Sequence, residues 1–359
     1  EIKKIKLKDG QINLVQHKNG EFNIVKALSS KIEVEDAGEE FHLDLKKIEL
    51  EDIDLTKLNE ANNLKVEAFI QDAQTQFETS EDHVMSAVDA RFVLNIISNG
   101  DTTFLKHKHI DLDTQVDFLK GADILTIQPT KVHLEGSEFN MKGSIDFLND
   151  MFLDFDFSGN KSNFDLLIAL APEDLMQSMR EYENEGNIYL QTTIKGKSIN
   201  GHNPAIKASF GCKNGHFTNT KNKKSIDNLN FKAYFTNGSK RDKSTMQFIL
   251  HDFTAKPEVG DFKGNIEVVN FNAPELDIKL NTNFKMDFIA RFLDFKHLKN
   301  LKGAARIDLE FKDVIDLKNP HHAISKMKET YKMDIELKDL SFNSDLYHIP
   351  VKNFNFITK

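Results

Sequence analysis

Apolar and polar residues alternate along most of the chain with a period of two residues. Between Leu153 and Phe157 the apolar residues alternate with aspartates, and between Leu276 and Leu280 they alternate with Asp277 and Lys279. Successive side chains of a β-strand point to opposite faces, so each such segment predicts a strand with one apolar and one solvated face. The pattern therefore predicts a mainly β chain of antiparallel strands.

Helical spacing is confined to a few short segments. Phe288 and Phe292 recur at helical intervals within Phe284–Lys299, and a second helix is predicted within Leu166–Tyr182. Pro320–Thr330 is a third candidate. The sequence thus predicts a sheet interrupted by two or three short helices.

Three polar segments are predicted to form turns between strands. Asp9-Gly10 and Asn214-Gly215 are dipeptides typical of tight hairpins. Lys221–Lys224 is a small basic segment that could contact anionic head groups, although a solvated hairpin tip is the simpler interpretation.

Two stretches of the sequence repeat at a constant offset. Lys213–Phe217 and Ile226–Phe231 match Lys338–Phe342 and Val351–Phe356, each displaced by 125 residues (213 to 338, 231 to 356). The repeat predicts that these stretches form equivalent hairpins, with Phe217 and Phe342 at the same position. A repeating β unit that stacks end to end gives an elongated body.

Upstream of each hairpin, a helical segment is followed by a glycine and an alternating strand. The glycines are Gly186 and Gly303, at an offset of 117. We therefore divide the chain into an N-terminal β region (residues 1–160), a repeat unit (161–283) and a second, partial repeat unit (284–359). The chain begins without Met, and we expect it to be a fragment of a longer protein.

Composition narrows the possible functions. The net charge of −9 argues against nucleic-acid binding, which needs a basic face. A single cysteine, Cys212, excludes an internal disulfide and a multi-cysteine metal site. The chain contains 29 Phe, 5 Tyr and no Trp, which suits contact with a purely apolar phase because Phe carries no polar group. The longest apolar run is Leu166–Ala171, much shorter than the roughly 20 residues of a membrane span.

Candidate catalytic and metal-binding residues are few, and no motif supports them. The chain has no nucleophile elbow, phosphate-binding loop, zinc-protease motif or dinucleotide fingerprint. We expect no enzyme activity, no cofactor and no metal. The side chains that were weighed are His107 with His109, Asp111 and Asp113, the pairs Asp52/Asp54 and Asp154/Asp156, and His321-His322. On alternating strands, such groups are expected on the solvated face.

Four stretches of the chain resemble the AsmA family, especially the large AsmA-like proteins of Bacteroidetes-type bacteria. They are Ile5–Ile24, Leu43–Leu55, Leu166–Gly196 and Ile335–Phe356. The resemblance implies a Gram-negative envelope protein, anchored in the inner membrane by an N-terminal helix outside this fragment, with a long periplasmic β body. It also implies kinship with TamB and with bridge-like lipid-transfer proteins, in which a curved, taco-like sheet forms an apolar groove.

The resemblance joins the apolar faces of separate strands into one expected groove for phospholipid acyl chains. The expected lining residues are Leu153, Phe155, Phe157, Ile188, Leu190, Ile194, Phe231, Phe235, Phe248, Leu250, Leu276, Ile278, Leu280, Ile307, Leu309, Phe311, Ile335 and Leu337. Without the resemblance, the same alternation would favour an ordinary closed β-sandwich.

Three classes of function follow. The leading hypothesis is a non-enzymatic periplasmic conduit that carries phospholipid or another acyl lipid between the inner and outer membranes. The alternative is a scaffold for envelope or outer-membrane protein assembly that contacts protein partners and transports no lipid. The third is an enzyme or carbohydrate-binding β protein. The first predicts an open apolar face, the second a closed core with an exposed patch, and the third a local polar pocket.

Overall fold

A computed structural model describes residues 3–21, 23, 46–61, 63–98, 101–102, 106–171, 173–198, 202–295, 298–314, 331–344 and 350–358. The third predicted helix, Pro320–Thr330, and His321-His322 lie outside these residues. The chain forms two compact units. The first comprises Glu1–Gly159, Leu166–Leu175 and Thr193–Pro204, and the second comprises Asn160–Asp165, Met176–Thr192 and Ala205–Lys359.

The first unit is an antiparallel sheet in which most strands pair with their neighbours in the sequence. Strand β1 is parallel to β2. The short β5 pairs with the last residues of β4, and β6 pairs with the preceding part of β4. The elements are β1 (Lys4–Gln16), β2 (Lys47–Asn59), β3 (Leu64–Thr79), β4 (His83–Ser98), β5 (Asp101–Thr102), β6 (Lys108–Leu119), β7 (Ile124–Leu134), β8 (Ser137–Asp146), β9 (Phe152–Lys161), α1 (Asp165–Leu170) and the start of α2 (Glu173–Met179). The last residues of β9, the first residue of α1 and the second half of α2 belong to the second unit.

The second unit continues the same arrangement, with antiparallel pairing from each strand to the next between β11 and β18. Strand β10 gives most of its residues to this unit and its last residues to the first. The elements are β10 (Tyr182–Lys197), β11 (Ala205–Asn219), β12 (Lys224–Thr236), β13 (Gln247–Pro257), β14 (Gly260–Val269), β15 (Glu275–Lys285), α3 (Met286–Phe292), β16 (Leu298–Val314), β17 (Tyr331–Ser344) and β18 (Pro350–Thr358).

The predicted fold class is confirmed, because the described residues form a mainly β, antiparallel open sheet with three short helices. The helices are shorter than predicted. Leu166–Tyr182 holds two helices rather than one, and Tyr182 already begins β10. In the other predicted helix, Phe284 pairs with Gly260 in the sheet and Leu298 begins β16. Sheet hydrogen bonds at both ends of the segment therefore limit α3 to seven residues.

Two of the predicted turns are wrong. Asp9-Gly10 lies inside β1 and Asn214-Gly215 lies inside β11, so neither ends a strand. Asp9 and Asn214 have φ angles of 52° and 54°, and the strand continues beyond each of them. A single residue at positive φ inside a strand is typical of a β-bulge, which favours the same residue types as a tight turn. Lys221–Lys224 does form the tip of the β11–β12 hairpin.

The predicted repeat is confirmed by strand register. The β11–β12 and β17–β18 hairpins have the same pairings and the same two irregularities, at the same offset of 125 residues (213 to 338). The matched pairings are Cys212–Phe231 with Leu337–Phe356, Gly215–Leu229 with Leu340–Phe354, and Phe217–Ile226 with Phe342–Val351. Phe217 and Phe342 therefore occupy equivalent positions, as do Phe231 and Phe356.

Hydrogen bonds at the bulges also repeat. The backbone N–H of Asn214 donates to Asn230 Oδ1 at 2.9 Å, and the N–H of Asp339 donates to Asn355 Oδ1 at 2.9 Å. Each bulge leaves one backbone N–H outside the strand ladder, and an asparagine of the neighbouring strand satisfies it.

The upstream glycines occupy matching positions as well. A Cβ atom on Gly186 would lie 2.9 Å from Cα of Gly215, and one on Gly303 would lie 3.0 Å from Cα of Leu340. Gly215 and Leu340 are themselves equivalent in the repeat. Both glycines thus permit a close backbone approach that any side chain would block, at φ angles of 154° and 117°.

Candidate functional site: an open apolar face crossed by a helix

Strand register collects the apolar positions of the second unit onto one face of its sheet. Directly opposed residues of antiparallel strands project to the same side. The opposed rows are Phe235–Phe248–Val268–Leu276, Ala233–Leu250–Ile266–Ile278–Phe311, Gly264–Leu280–Leu309–Met333, Thr282–Ile307–Ile335 and Ala305–Leu337–Phe356. We call this the apolar face; Phe231 joins it by alternation within β12. The opposite side carries the charged residues of the same strands.

Side chains on this face remain partly exposed to solvent. Each of the predicted residues from Phe231 to Leu337 is half-buried rather than buried. Among the other members of the rows, Ile266, Met333 and Phe356 are more open, with exposures of 37%, 39% and 41%, whereas Ala233, Thr282 and Ala305 are buried. A close-packed sandwich core would leave such residues almost fully buried. The face is therefore accessible over most of its area.

Two predicted groove residues differ from this pattern. Ile188 and Leu190 of β10 are only 1% and 5% exposed, so they belong to a closed part of the same face. The ring of Phe164 lies 3.4 Å from the position a Cβ atom of Gly186 would occupy, two residues before Ile188 on the same side of the strand. Phe164 therefore covers this part of β10.

Helix α3 closes one end of the face through a cluster of aromatic rings. Phe288 and Phe292 stack with ring centroids 5.7 Å apart, and Phe292 lies 5.2 Å from Tyr182. Tyr182 meets Phe217 at 6.4 Å, and Phe217 meets Phe164 edge-on at 4.4 Å. Except for Tyr182, which is half-buried, these rings are buried. These rings form a small closed core at this end of the face.

The C-terminal end of α3 is fixed by side chains from the strands facing it. The Tyr182 hydroxyl donates to the Phe292 carbonyl at 2.7 Å, and Asn219 Nδ2 donates to the same carbonyl at 3.0 Å. Asn222 Nδ2 donates to the Arg291 carbonyl at 2.9 Å. The last carbonyls of a helix have no partner within it, so these three bonds satisfy groups that would otherwise need water.

The hairpin tip that carries these asparagines is also tied down by charge. Lys221 Nζ lies 2.8 Å from Asp294 Oδ2, which raises the pKa of Lys221 by a hydrogen bond and by charge attraction. Lys224 Nζ lies 2.7 Å from Glu258 Oε2. Two lysines of the predicted basic tip therefore already have carboxylate partners within the unit.

The position of α3 shows which way the sheet of the second unit curves. This seven-residue helix contacts β12 as well as β15 and β16. β12 and β16 stand four strand spacings apart, about 19 Å in a flat sheet, whereas a helix is about 10 Å across. The strands must therefore curve towards the helix. Phe292 of the helix contacts Tyr182, which alternation places on the same side of β10 as Ile188 and Leu190, so the helix lies on the apolar face and that face is concave.

The first unit has a smaller version of the same arrangement. Leu153, Phe155 and Phe157 lie opposite Ile145, Gly143 and Met141, respectively, and all three predicted residues are half-buried. Lys195 Nζ is paired with Asp154 on the polar side at 2.5 Å, which leaves Ile194 and Leu153 on the apolar side.

Helix α1 covers one end of this apolar side. Leu166 is fully buried, and its Cδ2 atom lies 2.8 Å from where a Cβ on Gly159 would be, with Phe139 next to it at 3.5 Å. Before the helix, Asn163 Oδ1 accepts a hydrogen bond from the backbone N–H of Asp165 at 3.4 Å. A side chain at Gly159 would displace the helix.

Lys108 is a buried residue that sequence reasoning missed. It occupies an apolar-face position, opposite Leu94, and is 1% exposed. Its Nζ donates to the Ala171 carbonyl, just after α1, at 2.7 Å. Burial lowers the pKa of Lys108, against a smaller upward effect of the Glu135 and Glu173 carboxylates. The only sign of this in the sequence is that Lys108 occupies a position where the alternating pattern places an apolar residue.

The neighbouring histidines do not form the metal pair that was considered. His107 precedes β6 with a φ angle of 50°, so His107 and His109 are not successive side chains on one face of a strand. His109 Nδ1 lies 3.1 Å from Glu135 Oε1 instead. Within the described residues, no group of three or more His, Cys, Asp or Glu side chains is placed to hold a metal ion.

Three of the carboxylates considered as members of catalytic pairs, Asp111, Asp113 and Asp156, line one depression of about 820 Å³ in the first unit. Asp52 sits at a bulge with a φ angle of 53°. Asp154 pairs with Lys195 as above, and Asp156 lies 3.6 Å from Lys142. On the polar side of β1 and β2, hydrogen bonds from Lys4 and Lys47 lower the pKa of Glu49 to about 2, and hydrogen bonds from Lys6 and Lys8 lower the pKa of Glu51 to about 2.

Cys212 lies on the apolar face opposite Phe231 and is 1% exposed. Its thiol donates to the Leu229 carbonyl at 3.3 Å. Burial raises the pKa of Cys212 to about 11. A buried thiol of this kind is an inert packing group rather than a nucleophile.

No protein-family model, curated protein or solved structure matches the chain. None of the described helices combines the length and apolar character that a membrane crossing requires.

Proposed function

We propose that the concave apolar face binds the acyl chains of lipids. The observation that carries this proposal is an apolar face, continuous across six strands from β12 to β17, that stays half-exposed while the sheet curves around it. A soluble protein rarely exposes so large a contiguous apolar surface without a ligand or partner for it. Non-polar side chains without hydrogen-bonding groups are also what an acyl chain requires of its container.

The energy available from such a contact is large. Burying a methylene is worth about 0.8 kcal/mol, so a tail of about 16 carbons could gain on the order of 10 kcal/mol before the costs of association. No side chain needs to perform chemistry. The protein would act by providing continuous apolar solvation, as a non-enzymatic carrier or conduit.

The AsmA-like resemblance extends this proposal to the cell. On that basis the protein is a periplasmic conduit between the inner and outer membranes, anchored through a helix outside this fragment. The open face favours this function over a scaffold with a closed core.

A photo-crosslinking experiment tests the proposal. A photoreactive amino acid at Phe248 or Leu309 places the probe on the apolar face, and the same residue at Asp277 or Lys279 places it on the other side of the sheet. After illumination in cells and purification, phospholipid adducts should form from the first pair and not from the second. Equal labelling from both sides, or none from either, would refute lipid binding at this face.

A further inference from the structure

A second depression lies away from the apolar face, where the ends of β15, β16 and β17 meet the solvent side of α3. It has a volume of about 900 Å³. A neighbouring depression of about 180 Å³ shares Lys285, Ala304 and Lys338 with it. Gly303 and Ala304 are among its lining residues.

The long side chains around this depression are cationic. Lys285 and Lys338 lie on either side of Ala304 in one cross-strand row, on the polar face. Arg306 lies two residues further along β16, and Lys302 two residues before Ala304. Among the described residues, the side chains of Lys285, Lys302 and Arg306 make no ion pair. Lys338 is paired with Glu336 at 2.9 Å.

The acidic residues nearby do not cancel this charge. Asp294 accepts from Lys221 and Glu336 from Lys338, so both carboxylates already have cationic partners. Two carboxylates, Asp287 and Asp339, are then left to balance four cations that line the two depressions. Those cations are Lys285, Arg291, Lys302 and Arg306. On a chain with a net charge of −9, this local excess of positive charge stands out.

We propose that this depression binds a phosphate group. Arginine and lysine donate charge-assisted hydrogen bonds to phosphate oxygens, and arginine can donate two in parallel. Neutral donors are available for the remaining oxygens, since Asn300, Ser341 and Asn353 also line the depression. Several cations around one cavity suit a compact multivalent anion better than a single carboxylate. The site does not depend on lipid binding at the apolar face.

The phosphate could belong to a small soluble molecule or to a lipid head group at a membrane surface, and two probes separate these sources. The first is inorganic phosphate, followed by NMR chemical shifts of β15–β17 at constant ionic strength. The second is co-sedimentation with phosphatidylcholine vesicles containing phosphatidylglycerol. Lys285→Gln and Arg306→Gln remove one cation each from exposed positions. Lys279→Gln is the matched control, on the same strand and face as Lys285 but outside the depression.

Loss of one charge-assisted contact should weaken binding about tenfold in either cation variant. The control should bind as the unmodified protein does. If the unmodified protein binds inorganic phosphate and both cation variants lose that binding, the ligand is a soluble phosphate compound. If the unmodified protein binds only the vesicles and the same two variants lose that binding, the ligand is a lipid head group. Binding of neither probe, or an equal loss in Lys279→Gln, overturns the proposal.

Discussion

Replacing Ile278 by aspartate tests whether the apolar face of the second unit is open. Ile278 lies in the middle of the face, opposite Ile266 on one side and Phe311 on the other, and it is half-buried. Complete burial of an isoleucine is worth about 1.5–3 kcal/mol, so its partial burial contributes about 1–2 kcal/mol. On an open face the new carboxylate keeps contact with water. We therefore expect Ile278→Asp to fold, with a stability loss of about 1–3 kcal/mol.

Leu190→Asp provides the opposite case within the same unit. Leu190 is 5% exposed, so the same carboxylate would be buried without a partner. That should cost several kcal/mol, a large share of the 5–15 kcal/mol that stabilises a typical domain. Asn281→Asp is the matched control for Ile278→Asp, because Asn281 is an exposed residue on the polar face of β15, the strand that contains Ile278. It should change stability little.

The Ile278→Asp substitution should reduce the affinity for lipid more than it reduces the free energy of unfolding. Placing aspartate against an acyl chain costs about 3 kcal/mol, or roughly a hundredfold in affinity. Urea denaturation and mass spectrometry of co-purified phospholipid would measure the two effects on the same preparations. If Ile278→Asp unfolds as Leu190→Asp does, the face is closed. If it folds and retains its lipid, the lipid binds elsewhere.

Three further predictions concern single side chains. Thr282 is 2% exposed and its hydroxyl has no hydrogen-bond partner among the described residues, so Thr282→Val should stabilise the protein by about 1 kcal/mol in urea denaturation, and a loss of stability would contradict this. The side-chain carboxyl of Glu51, which is hydrogen-bonded to Lys6 and Lys8, should titrate at about pH 2 by NMR. Its contribution to stability is present above about pH 4.5 and is lost as the pH falls through 2. An ordinary pKa for Glu51 would show that the β1–β2 pairing is wrong. Cys212, with a pKa raised from 9.0 to about 11, should have a thiolate fraction about a hundredfold below normal at pH 8, so a thiol reagent should label it only on unfolding, and rapid labelling of the folded protein would exclude its burial.

The sequence predicted the strands and their apolar faces because each strand has one face turned to solvent, which makes the alternation visible. It failed at Asp9-Gly10 and Asn214-Gly215 because a bulge and a tight turn both require a residue at positive φ. Local chemistry cannot separate these structures. The difference is set by whether the following residues pair with the same neighbouring strand or with a new one.

Burial along the face was harder to predict than its existence. Ile188 and Ile278 follow the same alternation, yet one is buried and the other half-exposed. That difference comes from Phe164, which reaches β10 from a segment more than twenty residues earlier. Lys108 was missed for a related reason, since only the position of α1 explains a lysine on the apolar side. In both cases the burial of a side chain depends on contacts between segments that are far apart in the sequence.

The curvature of the second unit follows from features that are local and occur twice. Each hairpin contains two bulges, one on each strand, and each bulge adds one residue to its strand relative to the partner. In the first copy the extra residues lie at Asn214 and Asn228. Bulges bend strands and increase their twist, and asparagine tolerates the left-handed conformation they need. Asn230 then satisfies the N–H that the first bulge exposes. Because hydrogen bonds within the sheet fix this bend, the apolar face should be concave before any lipid arrives, and binding would then require little ordering of the protein, which favours affinity.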